Sequence, residues 1–308
     1  MAAREARIGP WLVAIGAALW GTESAWRIPL NGVFSEDVLV FWEHAILVVL
    51  ALPFVVPRLR ELKTVRRATI AWLLLSGVAG SAVGTVLFTA ALKYGNATVV
   101  NVVLNIQPVI STTAACLLLG DRLSRGFYPA AAVAVIAGIF LVNLAPGLGG
   151  AVDLGTGFAL GCALFWGLST VVGRAVMNDM SLGLASGLRV VIGLVSMTAI
   201  VLASGHMNAT DLWPAAASEQ SWTVIRWLIG LATLSGGIPL VIYFQGLHLT
   251  KASTAGYFEM MQTLAATAIT WGIMGESLAW YQALAGGVLI IAVVFVQRAQ
   301  ETAPVTPN

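Results

Sequence analysis

Ten apolar runs, each close to the length that crosses a bilayer, take up almost the whole chain. No other feature constrains its fold as tightly. A membrane-spanning helix needs about 20 mostly apolar residues. Runs of that kind fall at residues 10–30, 38–57, 69–92, 96–119, 127–146, 154–176, 182–204, 223–247, 252–275 and 279–297. The longest polar connector, Gly205 to Trp222, has room for a loop and no more. Composition agrees: 58% of the 308 residues are hydrophobic and 10% are charged, against roughly 25% charged in a soluble domain. The mean hydropathy is +0.88. So few charges cannot cover a water-facing exterior, which excludes an aqueous enzyme. A net charge of +2 lacks the basic surface that nucleic acid requires. Cys116 and Cys162 both sit in apolar runs, so neither a disulfide framework nor a metal-ligand spacing is present, and no metal or cofactor is expected. The fold expected is an all-α integral membrane protein whose surroundings are lipid.

The basic residues orient the spans. Lys and Arg concentrate on the cytoplasmic side of membrane proteins. Twelve of the sixteen fall on one side: Arg4, Arg7, Arg58, Arg60, Lys63, Arg66, Arg67, Arg122, Arg125, Arg174, Lys251 and Arg298. Arg27, Lys93 and Arg226 fall on the other, and Arg189 lies inside the seventh run. Both termini are therefore expected to be cytoplasmic. Met1 to Gly9 reads as a short basic lead into an uncleaved anchor.

The chain also repeats itself. A shift of 146 residues lays Trp20-Gly21 on Trp166-Gly167 and Glu43 on Arg189. A shift of 155 lays Ala97, Gln107, Thr112, Gly120 and Leu123 on Ala252, Gln262, Thr267, Gly275 and Leu278. The two halves, 1–148 and 149–308, hold five runs each. An odd number makes the second half enter the membrane from the opposite side, so an inverted repeat around a central cavity is expected. Interrupted spans at matching places mark such a cavity. Ser235-Gly236-Gly237-Ile238-Pro239 falls opposite Gly80-Ser81-Ala82-Val83-Gly84. Close packing through Gly80/Gly84, Gly157/Gly161 and Gly183/Gly187 is the alternative use of these glycines.

Ala17-Ala18-Leu19-Trp20-Gly21, Gly120-Asp121-Arg122-Leu123 and Gly275-Glu276-Ser277-Leu278 resemble the EamA-type branch of the drug/metabolite transporter superfamily. The resemblance covers nearly the whole chain as two copies. It implies a ten-helix exporter of amino acids or related small metabolites, with no ATP-binding part, and a multi-pass location in the bacterial inner (cytoplasmic) membrane. The chain departs from the family's usual pattern at Glu23, Glu43 and His44.

An ionisable group at the bilayer centre costs about 2.5–3.5 kcal/mol and survives where it faces a cavity or a partner. Glu23 shares a helix face with Trp20 and Arg27, and an ion pair with Arg27 near the outer surface is the structural expectation. Glu43 beside His44 has Arg189 as its expected partner through the repeat. Gly256, Glu259, Thr263, Thr267 and Thr270 make one polar stripe, and Asn101, Asn105, Pro108 and Thr112 make its counterpart. Helix-to-helix packing through Thr and Asn competes with a cavity lining as the reason for both stripes. Trp20, Trp166, Tyr243 (opposite Phe88) and Tyr257 are the inner aromatics. Trp11, Trp72, Trp213, Trp222, Trp227 and Trp280 suit an interfacial belt.

These residues predict a secondary transporter for a small-molecule solute. Trp20, Asn101, Asn105, Trp166, Tyr243, Tyr257 and Glu259 form the expected substrate-binding set. Glu23, Glu43, His44 and Arg189 are expected to form gates, or a proton relay if transport is proton-coupled. A membrane-embedded enzyme acting on a lipid or peptide is the second class. Against it, H-E-x-x-H, G-x-S-x-G and the phosphate loop are all missing. A non-transporting receptor or scaffold is the third, opposed by the near absence of soluble loops.

Overall fold

A computed structural model describes residues 2–120, 124–141, 153–177, 179–248, 261–275 and 279–301, and all regular structure among them is helical. Six stretches are long and apolar enough to cross a membrane: Glu36–Lys63, Arg67–Tyr94, Ala97–Leu118, Leu154–Gly173, Leu182–Ala203 and Ser221–Tyr243. Phe127–Gly138 and Trp280–Val296 are apolar but shorter. The first expected run is two helices, α1 (Ala2–Gly21) and α2 (Glu23–Asn31), with Thr22 between them. Then come α3 (Glu36–Val55), α4 (Arg67–Leu75), α5 (Gly84–Tyr94), α6 (Ala97–Val103), α7 (Gln107–Leu119) and α8 (Phe127–Leu141). The second half has α9 (Leu154–Val176), α10 (Leu182–Ala203), α11 (Ala209–Leu212), α12 (Ala215–Glu219), α13 (Ser221–Ala232) and α14 (Ile238–His248). It ends with α15 (Met261–Gly272) and α16 (Trp280–Glu301). Large apolar side chains point outward, among them Leu117 at 78% exposure and Val195 at 65%, as a lipid-facing surface requires.

Helix ends follow local rules. Asn96 and Asp153 cap α6 and α9 by accepting from the backbone N–H of Val99 (3.0 Å) and Thr156 (2.8 Å). Gly120 and Gly275, 155 residues apart, both stop a helix at φ +73°, a conformation open to glycine because it has no Cβ. The repeat is thus visible in backbone geometry as well as in residue identity. It is visible again in the interruptions. Between α4 and α5 the backbone widens into a π-helix, Ser76–Val83, and between α13 and α14 into another, Thr233–Gly237. These fall where the Gly-rich segments pair, and π-turns leave carbonyls free for partners outside the helix.

The two halves pack crosswise. The first helix of one half rests on the third and fourth spans of the other: α1 on α14 and α15, and α9 on α5 and α7. The second and fifth spans meet their own counterparts, α3 with α10 and α8 with α16. Small residues allow the approach, since lipid supplies little drive for helix association. A Cβ added at Gly16 would lie 2.8 Å from the Tyr243 Cβ, and one at Gly246 would lie 2.5 Å from the Val13 nitrogen. One core cluster accordingly mixes the halves, joining Phe88, Val100 and Leu104 to Cys162, Leu289 and Val293. Cys162 is buried, as its apolar run predicted, and Cys116 is partly exposed.

The connector 205–222 is more than the loop expected. It carries α11 and α12, and it docks on the start of α3. Trp42 Nε1 donates to the Leu212 carbonyl at 2.9 Å, and the Trp213 ring lies 5.8 Å from Phe34 and 6.0 Å from Trp42. Trp213 therefore turns inward instead of joining an interfacial belt, while Trp222 and Trp280 remain open at 71% and 80%. His206 Nδ1 sits 2.8 Å from Asp37 Oδ2, and this contact raises the imidazole pKa above its ordinary value.

Candidate functional site

Arg27 is the largest fully buried side chain, and its surroundings form a charged cluster. Its Nη2 donates to Glu23, one turn back on α2, and to both oxygens of Glu43 on α3 at 2.9 and 2.8 Å. Its Nη1 donates to Thr89 Oγ1 on α5 at 2.8 Å, and that hydroxyl donates in turn to the Thr85 carbonyl at 2.7 Å. Asn31 Nδ2 donates to the Thr89 carbonyl at 3.1 Å. The Arg27 guanidinium also lies 5.7 Å from the Phe88 ring centre. Three helices are thereby tied by one cation, whose fork matches carboxylates well.

This arrangement corrects one expectation. Arg27 is completely buried. Glu43 pairs with Arg27 and not with Arg189. Its helix face points toward α2, so the repeat relates Glu43 to Arg189 without bringing them together. The Glu23–Arg27 ion pair forms as expected, although inside the fold. His44, adjacent to Glu43, faces elsewhere. Its Nδ1 lies 2.9 Å from the Val40 carbonyl and its Nε2 2.8 Å from Ser81 Oγ. A carbonyl only accepts, so Nδ1 carries the proton and the Ser81 hydroxyl donates to Nε2. The close approach of His44 to α10 requires Gly193, where a Cβ would lie 2.6 Å from the ring.

Arg189 projects from α10 toward the first π-helix. A Cβ at Gly80 would lie 2.8 Å from its Nη2 and would overlap the Ser169 hydroxyl. Ser169 and Ser76 hydroxyls are 3.0 Å apart. Beside them lies a cavity of about 50 Å³ whose walls include Leu73, Ser76, Gly173, Met177, Ser186 and Arg189.

The inner aromatics form two symmetry-related pairs across the halves. Trp20 meets Tyr243 with ring centres 4.8 Å apart, and Trp166 meets Phe88 at 5.2 Å. Trp166 Nε1 donates to the Gly80 carbonyl, within the first π-helix, at 3.0 Å. The two polar stripes face one another. Thr263 Oγ1 donates to Asn105 Oδ1 at 2.8 Å, and Thr98 Oγ1 donates to Thr270 Oγ1 at 2.8 Å. Asn101 Nδ2 donates to Ser24 Oγ at 2.9 Å and to the Ala97 carbonyl at 2.8 Å. Tyr257 and Glu259 lie outside the described residues, as do Asp121 to Leu123 and Glu276 to Leu278 of the family-like motifs.

Several participants escaped the sequence reading: Ser24, Thr89, Ser76, Ser169 and Gly173. The 146-residue shift held a signal for two of them, since it lays Glu23 on Ser169 and Arg27 on Gly173. The first half's ion pair has a hydroxyl and a bare backbone as its counterpart.

The bundle is two crosswise-packed copies, with polar groups paired along their seam and a charged cluster buried within the first. The sequence matches the EamA-like transporter family over residues 7–144 and again over 153–298. The chain belongs to that family, with two EamA repeats. It is similar to the riboflavin transporter ImpX of Fusobacterium nucleatum subsp. nucleatum (strain ATCC 23726 / VPI 4351), 23% identical over 94% of this chain and 97% of that protein. A solved crystal structure shares the fold at a TM-score of 0.58 and 15% identity, covering 93% of this chain and 94% of the other.

Proposed function

We propose that the chain is a secondary transporter exporting amino acids or related small metabolites by alternating access across the bacterial inner membrane. In this reading it has ten spans in two inverted halves, 1–148 and 149–308, with both termini cytoplasmic. The observation that carries the reading is the crosswise packing, in which the first span of each half rests on the third and fourth of the other. Helices so related can exchange partners as one half rocks against the other, and solute binding shifts the balance between the two arrangements.

Trp20, Asn101, Asn105, Trp166 and Tyr243, with Tyr257 and Glu259, make the solute-binding set. The contacts of Asn101 with Ser24 and of Asn105 with Thr263 hold the seam together in this conformation, and opening it frees the same groups for solute. Glu23 and Glu43 share a single guanidinium, so full ionisation of both leaves one buried negative charge. One proton neutralises it, which makes this cluster the coupling gate, with His44 and Arg189 beside the interrupted span.

Riboflavin is a second reading. The relative's printed name and the two cross-half ring pairs, which suit a flat solute, favour it. The test is transport in proteoliposomes under an imposed pH gradient, with an amino-acid panel and riboflavin as solutes. Gradient-driven movement is expected for one of these classes. Glu43→Gln is expected to lose the gradient's effect while keeping solute exchange. Unchanged gradient dependence in that variant removes the proton role, and movement of neither class removes both solute assignments.

A further inference from the structure

We propose that Arg189 and Ser76, with Ser169 bonded to Ser76 behind it, form an oxyanion subsite that receives the carboxylate of the transported solute. This deepens the transporter reading and rests on it. Arg189 sits about two turns into α10, well inside the expected span. Among the described residues no carboxylate lies within ion-pairing distance of it, whereas Arg27 holds two. Its Nη2 reaches the same point of the π-helix, Gly80, as the Ser169 hydroxyl. Ser169 Oγ also lies 3.3 Å from the Ser76 carbonyl. Ser76, which lines the cavity, can therefore turn its hydroxyl to a ligand while Ser169 keeps a partner.

The space for that ligand has a sequence cause. The repeat shift that lays Arg27 on Gly173 removes a long side chain from one wall, and Gly173 lines the cavity of about 50 Å³. A Cβ there would meet nothing closer than Ser76 Oγ at 3.9 Å. The volume suits a carboxylate group and not a whole solute. A guanidinium offers a donor fork that fits a carboxylate's two oxygens, and the Ser76 hydroxyl on the wall extends the donor set. A cationic head group would meet only like charge. Trp166, bonded to the Gly80 carbonyl, stands beside the subsite, where it can contact the body of the solute.

Cysteine reactivity tests this in the full chain in detergent. In a Cys116→Ala, Cys162→Ala background, Gly173→Cys places a thiol in the cavity, and Ser186→Cys places one on another wall should the first fail to fold. Each is treated with an anionic sulfonatoethyl and a cationic trimethylammonioethyl methanethiosulfonate. The anionic reagent is expected to react faster by on the order of tenfold or more, and Arg189→Gln should collapse that ratio. Taking the ratio cancels any change in thiol acidity. L-leucine or nicotinate should slow the reaction, and L-leucinamide or nicotinamide should not. Equal rates, a ratio indifferent to Arg189→Gln, no reaction with either reagent, or protection that ignores the carboxylate would each overturn the proposal. Because no gradient is involved, failure of transport in proteoliposomes would remove the transporter reading and leave these rates as they are.

Discussion

The two arginines inside the bundle occupy opposite electrostatic situations. Arg27 is fully enclosed, with Glu23, Glu43 and Thr89 around its guanidinium. Arg189 is partly buried, has two serines and a cavity nearby, and has no ion pair among the described residues. The first arrangement commits both terminal nitrogens to joining α2, α3 and α5 and leaves Nε without a partner. The second leaves most of a donor fork unspent. A buried cation with partners ties its helices together, whereas a partly buried one without them has donors to offer a ligand. The difference traces to a few substitutions between the repeats: glycine for arginine at 173, serine for glutamate at 169, and arginine for glutamate at 189.

The sharpest way to break this comparison is to remove each cation. Arg27→Met leaves two carboxylates facing each other without water and should cost about 3–5 kcal/mol, read as a fall in the unfolding midpoint in detergent. Arg189→Met replaces an unpaired charge by an apolar chain of similar length and is expected to be neutral or stabilising. Equal losses would erase the distinction between the two sites. A smaller effect is expected at the glycine that brings Ser169, Trp166 and Arg189 together. Gly80→Val should cost about 1–3 kcal/mol through overpacking, whereas Gly173→Ala, facing open space, should be tolerated in the same measurement.

The smallest effect concerns the docked connector. Asp37 raises the pKa of His206, so the stabilisation is complete below the ordinary imidazole pKa, about 6.5, and is lost as pH rises through the raised value. Hydrogen exchange across 205–222 should therefore accelerate, beyond its intrinsic rise, as pH climbs from the ordinary imidazole pKa through the raised one. His206→Gln should abolish that extra step. A step that survives the substitution would show that another group latches the connector.

The apolar runs and glycine punctuation were readable because they are local. Helices follow from hydrophobic length, the π-turns fall where the Gly-rich segments pair, and Gly120 and Gly275 stop helices where the repeat puts them. The connector misled because Trp213 and Trp42 meet only after α3 and the loop are folded together. Glu43 misled for a related reason: repeat symmetry equates positions, and contact depends on which face a helix turns to its neighbour. Arg27 offered an i,i+4 partner in the sequence, but its burial depended on α3 and α5 arriving from elsewhere.

The chain by itself determined that it is a helical membrane protein, that it repeats, and where its two glycine-rich spans are interrupted, since these depend on hydrophobic length and backbone sterics within a few residues. Only the tertiary structure decided that Glu43 answers Arg27, that the Asn and Thr stripes close on each other, and that Arg189 is left facing a cavity. Those outcomes depend on the rotation and crossing of helices tens of residues apart. A buried charge is satisfied or left wanting by whatever that crossing brings within about 3 Å of it.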